Sequence, residues 1–245
     1  MPNSTAENLQ VLFEDNHIIA VNKRPGDIVQ GDKTGDRALS DLVKEYLKDK
    51  YNKPGNVYLG VVHRIDRPTS GVILFTRTSK AAARLSELFR EKEIEKNYWA
   101  IVEGTPKKPK NKLVHFLKKN AKQNKSYAES KPAKGYKEAI LSYQTLTVGD
   151  NFSMLSVNIE TGRHHQIRCQ LSAIGNIVKG DLKYGAKRSN KDGSISLHAR
   201  SIAFEHPVKK NKIEIIAPTP DESVWNSLVK QYNSKNQLGE TESSN

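Results

Sequence analysis

The apolar residues of this chain come in short runs, such as residues 72–75, that alternate with polar or glycine-containing turns. Runs this short are typical of strands, whereas a membrane-spanning helix needs about 20 apolar residues. The pattern therefore favours a sheet-based fold and offers no candidate for a membrane span. It predicts strands over 11–13, 18–21, 70–77, 98–102, 114–117, 139–146, 152–159, 195–204 and 212–217.

Helices are predicted where apolar residues recur at intervals of three and four. Leu39, Leu42 and Tyr46 have this spacing and predict a helix over 38–46. Further helices are predicted from Ser79, which can cap its N-terminus, and over 164–174 and 221–232. Strands outnumber helices, and hairpins mix with crossover connections. We therefore expect an α+β fold with a central mixed, largely antiparallel sheet flanked by helices.

The chain has 245 residues, which is enough for one sizeable domain. It contains no internal repeat. We expect a tail over 1–10, one domain over 11–232 with a basic insertion near 105–137, and a polar, frayed tail over 233–245. The N-terminus lacks the basic start and apolar core of a signal sequence. Cys169 is the only cysteine, so an internal disulfide is excluded. These features favour a cytoplasmic protein.

Lysine dominates the charge of the chain. Lysine and arginine total 40 against 27 acids, and residues 105–137 alone hold eleven lysines and one acid, Glu129. Clustered lysines can bind a phosphate backbone by releasing its counterions, or they can form a solvated loop. A membrane surface is disfavoured because no apolar face accompanies these lysines. The polyanion contact and the solvated loop both stay open on charge alone.

Residues 62–71 form the most unusual segment. Asp66 stands between Arg64 and Arg67, and Pro68 and Gly71 follow before an apolar strand. Proline and glycine indicate an irregular approach to the strand, which places Asp66 at the mouth of a sheet. A structural aspartate bonded to loop amides and a chemically active carboxylate both fit this pattern.

Residues 161–168 lie where a strand turns into a helix, so their backbone amides could bind an anion. On a helix from His164, the side chain of Arg168 shares the face of that histidine. His164 and His165 would point about 100° apart on a helix and could not chelate one ion together. We therefore expect structural hydrogen bonds for the histidines, no metal site, and an inert buried thiol at Cys169.

Taken in order, these segments resemble the motifs of the RluA-type family of RNA pseudouridine synthases along almost the whole chain. The hairpin at 12–26, residues 63–71, residues 96–104 with Tyr98, and residues 161–168 are similar to successive motifs, and shorter matches follow at 180–185, 197–199 and 204–207. Arg24 and Ile65 depart from the usual pattern without touching the proposed chemistry. The resemblance implies a stand-alone catalytic domain with the pseudouridine synthase-like fold.

The resemblance also implies an isomerase that converts specific uridines to pseudouridine in structured ribosomal or transfer RNA, with no cofactor. Asp66 would be the catalytic aspartate, as nucleophile at the anomeric carbon or as base at the neighbouring ribose carbon. Tyr98 would present a flat face to the flipped uracil, and Arg168 would pair with Asp66. The implied RNA contacts are His63, Arg64, Arg67, Thr69, Arg163, His165, Lys107, Lys108, Lys110 and Lys112. The protein would be a monomer that binds RNA and no membrane.

Two other functions are weighed against this expectation. A non-catalytic RNA-binding protein on the same fold has no need of Asp66, Tyr98 and Arg168 together. A metal-dependent nuclease needs clustered carboxylates as ligands for a hard cation, and Asp66 and Asp181 are too few.

Overall fold

The computed structural model describes residues 4–32 and 34–242, apart from the side chains of residues 238–242. These residues divide into two units. The first unit comprises the described residues up to Asn97 together with Lys191–Ser194 and His198–Pro218. The second comprises Tyr98–Asn190, Ile195–Leu197 and the described residues from Thr219 onward.

The strands and helices are numbered in chain order. The strands are β1 Val11–Glu14, β2 Ile18–Lys23, β3 Gly60–Val61, β4 Ser70–Thr76, β5 Glu95–Glu103, β6 Lys110–Asn120, β7 Lys125–Glu129, β8 Lys137–Val148, β9 Phe152–Ile159, β10 Leu197–Glu205 and β11 Lys212–Ile216. The helices are α1 Leu39–Lys50, α2 Ser79–Glu91, α3 Gln166–Ala173 and α4 Ser223–Glu242, and a 3-10 turn spans Leu182–Tyr184.

In the first unit, β1 and β2 form the predicted antiparallel hairpin, and β2 pairs antiparallel with β4. Strand β10 runs parallel to β4, whereas β11 is antiparallel to β10. In the second unit the strand order is β5, β9, β8, β6 and β7, and β9, β8, β6 and β7 form successive antiparallel pairs. The predicted α+β class with a mixed, largely antiparallel sheet is confirmed.

Strand β4 is buried along its whole length because helices cover both of its faces. Successive side chains of a strand point to opposite faces. Ile73 and Phe75 therefore pack with apolar residues of α1, whereas Val72 and Leu74 pack on the other side with Leu85 of α2. This burial explains why the strand reads as one continuous apolar run.

The second unit is also covered on two faces. Helix α3 places Ile167 and Leu171 against Leu141 of β8 and Leu155 of β9. Helix α4 packs its apolar residues against Met154 and the neighbouring part of β5. The two helices thus pack on opposite sides of the same strands, and α3 also carries Arg168, whose side chain is buried.

The basic stretch over 105–137 is more regular than the sequence suggests. A short strand over 114–117 is wrong in extent, because β6 spans Lys110–Asn120 and pairs with β7 in a hairpin. Leu113 and Leu117 of β6 are buried, while the lysines on this strand are exposed. Packing of the buried leucines decides the structure here, since strand propensity alone is weak for lysine.

Two helix ends also differ from the predictions. Thr78, and not Ser79, caps α2, because its side chain accepts a hydrogen bond from the N–H of Ala81. Helix α4 continues beyond the predicted end at 232 as far as Glu242. The frayed tail predicted over 233–245 is therefore helical up to that residue, and residues 243–245 lie outside the described residues.

Candidate active site

Asp66 lies at the start of a turn that leads into β4. The N–H of Thr69 donates a hydrogen bond to the carbonyl of Asp66 over 3.0 Å, which closes the turn. The side chain of Asp66 is half-buried. The sequence prediction that this carboxylate is held at an irregular approach to a buried strand agrees with this arrangement.

A buried lysine, Lys23 at the end of β2, holds the backbone of this turn. Its ammonium donates to the carbonyls of Arg24, Arg67 and Thr69 over 2.9, 3.0 and 2.8 Å. The side chain is 1% exposed. Burial lowers the pKa of Lys23 from 10.5 to about 7, although the negative charges of Asp27 and Asp66 raise it. Lys23 therefore fixes the shape of the Asp66 turn and adds to the electrostatic field at that carboxylate.

Gly71 and Ser70 fix the other end of the segment. Gly71 has a φ of 115° and stands opposite Ala199 in the parallel ladder, and a Cβ atom there would collide with the Ala199 backbone. The Ser70 hydroxyl lies 2.8 Å from Nδ1 of His198, whose pKa burial lowers to about 4. Only glycine suits this position, so the close approach of β10 explains why residue 71 of this unusual segment is a glycine.

The predicted RNA-contact residues of this segment differ in accessibility. Arg64 and Arg67 are exposed, and Arg67 pairs with Asp36 over 2.7 Å. Arg64 and Arg67 thus have surface that RNA can reach. Thr69 is 1% exposed, so its hydroxyl presents almost no surface to RNA.

His63 is half-buried and has a structural environment. Its Nε2 accepts a hydrogen bond from the N–H of Leu74 over 2.9 Å, and its ring stacks on Phe89 with centroids 5.0 Å apart. Burial lowers the pKa of His63 to about 3, with a smaller contribution from Lys96. The imidazole is therefore neutral at physiological pH, and its predicted RNA contact stays a prediction.

Helix α3 begins two residues later than predicted. His165 has a left-handed φ of 53°, so the helix starts at Gln166 and the expected helical face shared by His164 and Arg168 does not form. Oε1 of Gln166 accepts hydrogen bonds from the hydroxyl of Thr161 and the N–H of Arg163. The N–H of Arg163 lies in the segment whose backbone amides were predicted to bind an anion, and it already has Gln166 as its acceptor.

Arg168 forms a buried ion pair within the second unit. Its Nε and Nη2 donate to the two carboxylate oxygens of Asp181 over 2.6 and 2.8 Å. The side chains are 4% and 1% exposed, and the guanidinium carbon lies 5.1 Å from the centre of the Tyr184 ring. The Asp181 carboxylate thus accepts hydrogen bonds from two of the three guanidinium nitrogens of Arg168, which fixes the direction of the third nitrogen.

Asp66 belongs to the first unit and Arg168 to the second, so the pairing of these two residues stays a prediction. Tyr98 also belongs to the second unit. It is half-buried on β5 and packs against the core that contains Ile167. Part of its ring is therefore fixed by packing, and part remains accessible.

The predicted RNA contacts Arg163 and His165 are placed differently. Arg163 is exposed, and its Nε donates to the carbonyl of Glu138 over 3.0 Å. His165 is buried, stacks on His164 and lies 3.1 Å through Nδ1 from the Tyr184 hydroxyl. Burial, together with positive charges headed by that of Arg168, lowers the pKa of His165 to about 2. The imidazole of His165 is therefore neutral at physiological pH, and its predicted RNA contact stays a prediction.

The remaining predictions concern surface lysines and Cys169. Lys107, Lys108 and Lys110 are exposed, whereas Lys112 pairs with Glu160 over 2.7 Å. Cys169 is buried, and burial raises the pKa of its thiol to about 11. The prediction of an inert thiol agrees with that environment.

Within residues 4–32 and 34–242, no three His, Cys, Asp or Glu side chains lie close enough together to hold a metal ion. In the same part of the chain, no helix is long and apolar enough to cross a membrane.

Sequence reasoning did not assign roles to three residues that organise these segments, Lys23, Asp181 and Tyr184. The glycine-bounded turn that contains Asp181 and Tyr184 was a usable signal, since Gly180 and Gly185 both have positive φ and force the chain back on itself. Lys23 is the last residue of the apolar strand β2, and only its tertiary contacts show that it is buried.

Comparison with known proteins identifies the family. Residues 17–173 match the family model described as RNA pseudouridylate synthase. A ribosomal large subunit pseudouridine synthase D of Zymomonas mobilis is 30% identical over 87% of this chain and 70% of that protein. A tRNA pseudouridine synthase C of Haemophilus ducreyi is 30% identical over 91% of this chain and 96% of that protein. A ribosomal large subunit pseudouridine synthase C of Buchnera aphidicola is 34% identical over 86% of this chain and 67% of that protein.

Solved structures support the fold. Human RNA pseudouridylate synthase domain containing 4 superposes with a TM-score of 0.74 at 21% identity, over 88% of this chain and 91% of that one. Human RNA pseudouridylate synthase domain containing 1 gives a TM-score of 0.68 at 23% identity, over 95% and 98%. At these identities the likeness concerns the fold alone. Together with the family model and the relatives, it confirms the resemblance seen in the motifs: the chain belongs to the RNA pseudouridylate synthase family.

Proposed function

We propose that the chain isomerises specific uridines of ribosomal or transfer RNA to pseudouridine, with Asp66 as the catalytic carboxylate. The observation that carries the assignment is the turn at Asp66. Its backbone is tied down through Arg67 and Thr69 by the buried ammonium of Lys23. A buried cation that holds the backbone of this short turn also helps to hold Asp66 in place, and catalysis requires such preorganised groups.

The chemistry balances without a redox partner. The bond between N1 of uracil and the anomeric carbon breaks, a bond from C5 to that carbon forms, C5 loses a proton and N1 gains one. Asp66 acts either as nucleophile at the anomeric carbon or as base at the neighbouring ribose carbon. Both routes need an ionised carboxylate and a uridine taken out of the base stack.

Tyr98 and Arg168 complete the proposed catalytic set. The partly accessible ring of Tyr98 can lie against the flipped uracil, with its hydroxyl near the proton lost from C5. Arg168 is proposed to pair with Asp66 through the part of its guanidinium directed away from Asp181. The buried pair with Asp181 supports this role because it leaves the arginine a single orientation.

RNA contacts are proposed for the predicted residues, and their exposure ranks them. Arg64, Arg67 and Arg163 are exposed and suit phosphate, as do Lys107, Lys108 and Lys110. Lys112 already has a carboxylate partner in Glu160. For the buried Thr69 and His165, the role that best suits their surroundings is to shape the loops that carry the exposed residues. A monomeric, cytoplasmic protein remains part of the proposal.

The test of the proposed function is the substitution Asp66→Asn. The variant keeps size and shape, so the fold and RNA binding should persist while tritium release from RNA labelled at C5 of uridine is abolished. Asp150→Asn, at an exposed position, is the matched control and should release tritium at the wild-type rate. Measurable turnover by the Asp66 variant would contradict the assignment.

The RNA target is tested separately. Pseudouridine mapping of ribosomal and transfer RNA, from cells with and without this gene, should show sites that disappear with the gene. Loss of sites in neither RNA class would overturn the proposed substrates.

A further inference from the structure

The tip of the hairpin formed by β6 and β7 concentrates positive charge. We define the hairpin tip as residues 118–127 together with Lys183. Its lysines are Lys118, Lys119, Lys122, Lys125 and Lys183, and residues 118–128 contain no acid. In the described part of the chain, no carboxylate pairs with any of the five ammonium groups, in contrast to Lys112 and its partner Glu160.

This charge is held on a fixed framework. The Tyr184 hydroxyl accepts from the N–H of Ser126 and donates to its carbonyl, over 2.9 and 3.2 Å. The Ser126 hydroxyl donates to the carbonyl of His164 over 2.7 Å. Lys183 donates to the carbonyls of Gln123 and Asn124 over 3.1 and 3.3 Å, which ties the turn of the hairpin to the glycine-bounded turn.

The lysines surround the hairpin on both of its faces. Lys118 stands opposite Tyr127 in the strand pair, and Lys119 stands opposite Ser126, so their side chains point to opposite faces. The ammonium of Lys125 lies 5.6 Å from the centre of the Tyr127 ring. Tyr127 is 41% exposed, so an aromatic face lies among the cations.

An unneutralised cluster of like charges on a fixed hairpin disfavours the folded state by self-repulsion. A polyanion relieves that repulsion and gains affinity from the release of its counterions. An exposed aromatic ring beside lysines is the combination found where single-stranded nucleic acid binds, because bases can stack on it. A vesicle surface fits less well, since the tip has no apolar face to insert.

We propose that the hairpin tip binds the phosphate backbone of the substrate RNA. The inference rests on the proposed function and adds to it a second group of RNA contacts, separate from Lys107, Lys108 and Lys110. The same Tyr184 that anchors the tip lies against Arg168. The RNA contact is therefore built on the same framework that holds this arginine.

The test compares two triple variants that lose the same charge. In the tip variant Lys118, Lys119 and Lys122 become Gln, which leaves the structural contacts of Lys125 and Lys183 intact. In the control variant Lys48, Lys80 and Lys230, all exposed, become Gln. Binding of fluorescein-labelled oligouridylate is measured by anisotropy over a series of salt concentrations, and thermal unfolding checks the fold of each protein.

We expect the tip variant to bind more weakly and to lose up to about 2 in the slope of log affinity against log salt, or about 0.7 for each lost phosphate contact. The control should keep the wild-type slope. If the triple variant unfolds, the single variants Lys119→Gln and Lys122→Gln should each lose about 0.7. A wild-type slope in the tip variants, or an equal loss in the control, overturns the proposal.

A further arm separates RNA from other polyanions. Co-sedimentation with phosphatidylserine vesicles should show no dependence on the tip lysines. Vesicle binding that depends on them, with an unchanged RNA slope, also overturns the proposal. Pseudouridine formed by the wild-type protein reports on the proposed function independently, so a failure of catalysis and a failure of the tip contact are distinguishable.

Discussion

Each unit of the molecule buries one cation next to a proposed catalytic segment, and the two cations are satisfied in different ways. Lys23 of the first unit donates to three backbone carbonyls. Arg168 of the second unit donates to both oxygens of a single carboxylate, Asp181. Both side chains are almost fully buried, with 1% and 4% of their surface exposed.

The difference follows from the shapes of the two cations. An ammonium is a compact charge with three donors, which suits carbonyls that converge from a bent backbone. A guanidinium is a planar fork that matches a carboxylate and never loses its proton in a protein. Lys23 therefore shapes a backbone turn and can titrate, whereas Arg168 holds a permanent charge in a fixed orientation. We therefore expect pH to change the contribution of Lys23 to stability, and the shape of the side chain to decide the contribution of Arg168.

The largest expected effect comes from breaking the buried pair. Arg168→Met leaves the carboxylate of Asp181 buried without its partner, which should lower the free energy of unfolding by about 3–5 kcal/mol. The double variant Arg168→Met with Asp181→Leu should recover much of that loss, because replacing both partners avoids an unpaired buried charge. Urea unfolding of the three proteins measures both effects.

Activity measurements that add the variant Arg168→Lys distinguish the effect of the shape of the side chain from that of its charge. Arg168→Lys keeps the charge and loses the fork, so single-turnover rates should fall but remain measurable, whereas the stable double variant should be inactive. A fully active and equally stable Arg168→Met protein would show that this arginine neither supports the fold nor assists Asp66.

The second prediction concerns the pH dependence of stability that Lys23 introduces. Burial lowers the pKa of Lys23 to about 7 from an ordinary value of 10.5. Above about pH 7 the folded protein binds fewer protons at this site than the unfolded chain, so the free energy of unfolding rises with pH until the unfolded lysine also titrates. The contribution is up to about 1.4 kcal/mol per pH unit.

Lys23→Met should remove this dependence. The difference in unfolding free energy between wild type and variant should grow in favour of wild type from pH 7 to 9.5, as urea unfolding at several pH values can measure. Lys80→Met, at an exposed position, is the control and should leave the pH dependence unchanged. Parallel pH profiles for wild type and Lys23→Met would mean that the buried ammonium keeps its ordinary titration.

The smallest expected effect concerns Tyr184, whose ring lies against Arg168. Tyr184→Phe removes the hydroxyl that bonds Ser126 and His165 and leaves a buried N–H unpaired, which should lower the unfolding free energy by about 1–3 kcal/mol. Amide exchange should speed up at Ser126 and not in the Lys23 turn. Unchanged protection at Ser126 would show that the hydroxyl does not anchor the hairpin.

The periodicity of apolar residues predicted strands correctly wherever the burial of a residue follows from its neighbours in the chain. The paired strands β8 and β9 and the hairpin of β1 and β2 were predicted almost to their ends, since alternation with a polar turn is a local signal. The hairpin of β6 and β7 was missed because its lysines hide the alternation that Leu113 and Leu117 maintain. Among the site residues, Asp66 was found because proline and glycine make its segment irregular.

By itself the sequence determined most of the strands and helices, the family and the candidate set of Asp66, Tyr98 and Arg168, because motifs and periodicities lie within short stretches of chain. Only the tertiary structure decided that Lys23 is buried beneath the Asp66 turn and that Asp181 holds Arg168. A lysine in a strand and an aspartate in a turn look alike whether they are solvated or buried. On burial, each of these side chains exchanges water for hydrogen-bond partners that can lie as far as 46 positions away in the chain. No local sequence pattern shows which carbonyls or carboxylates will replace the water.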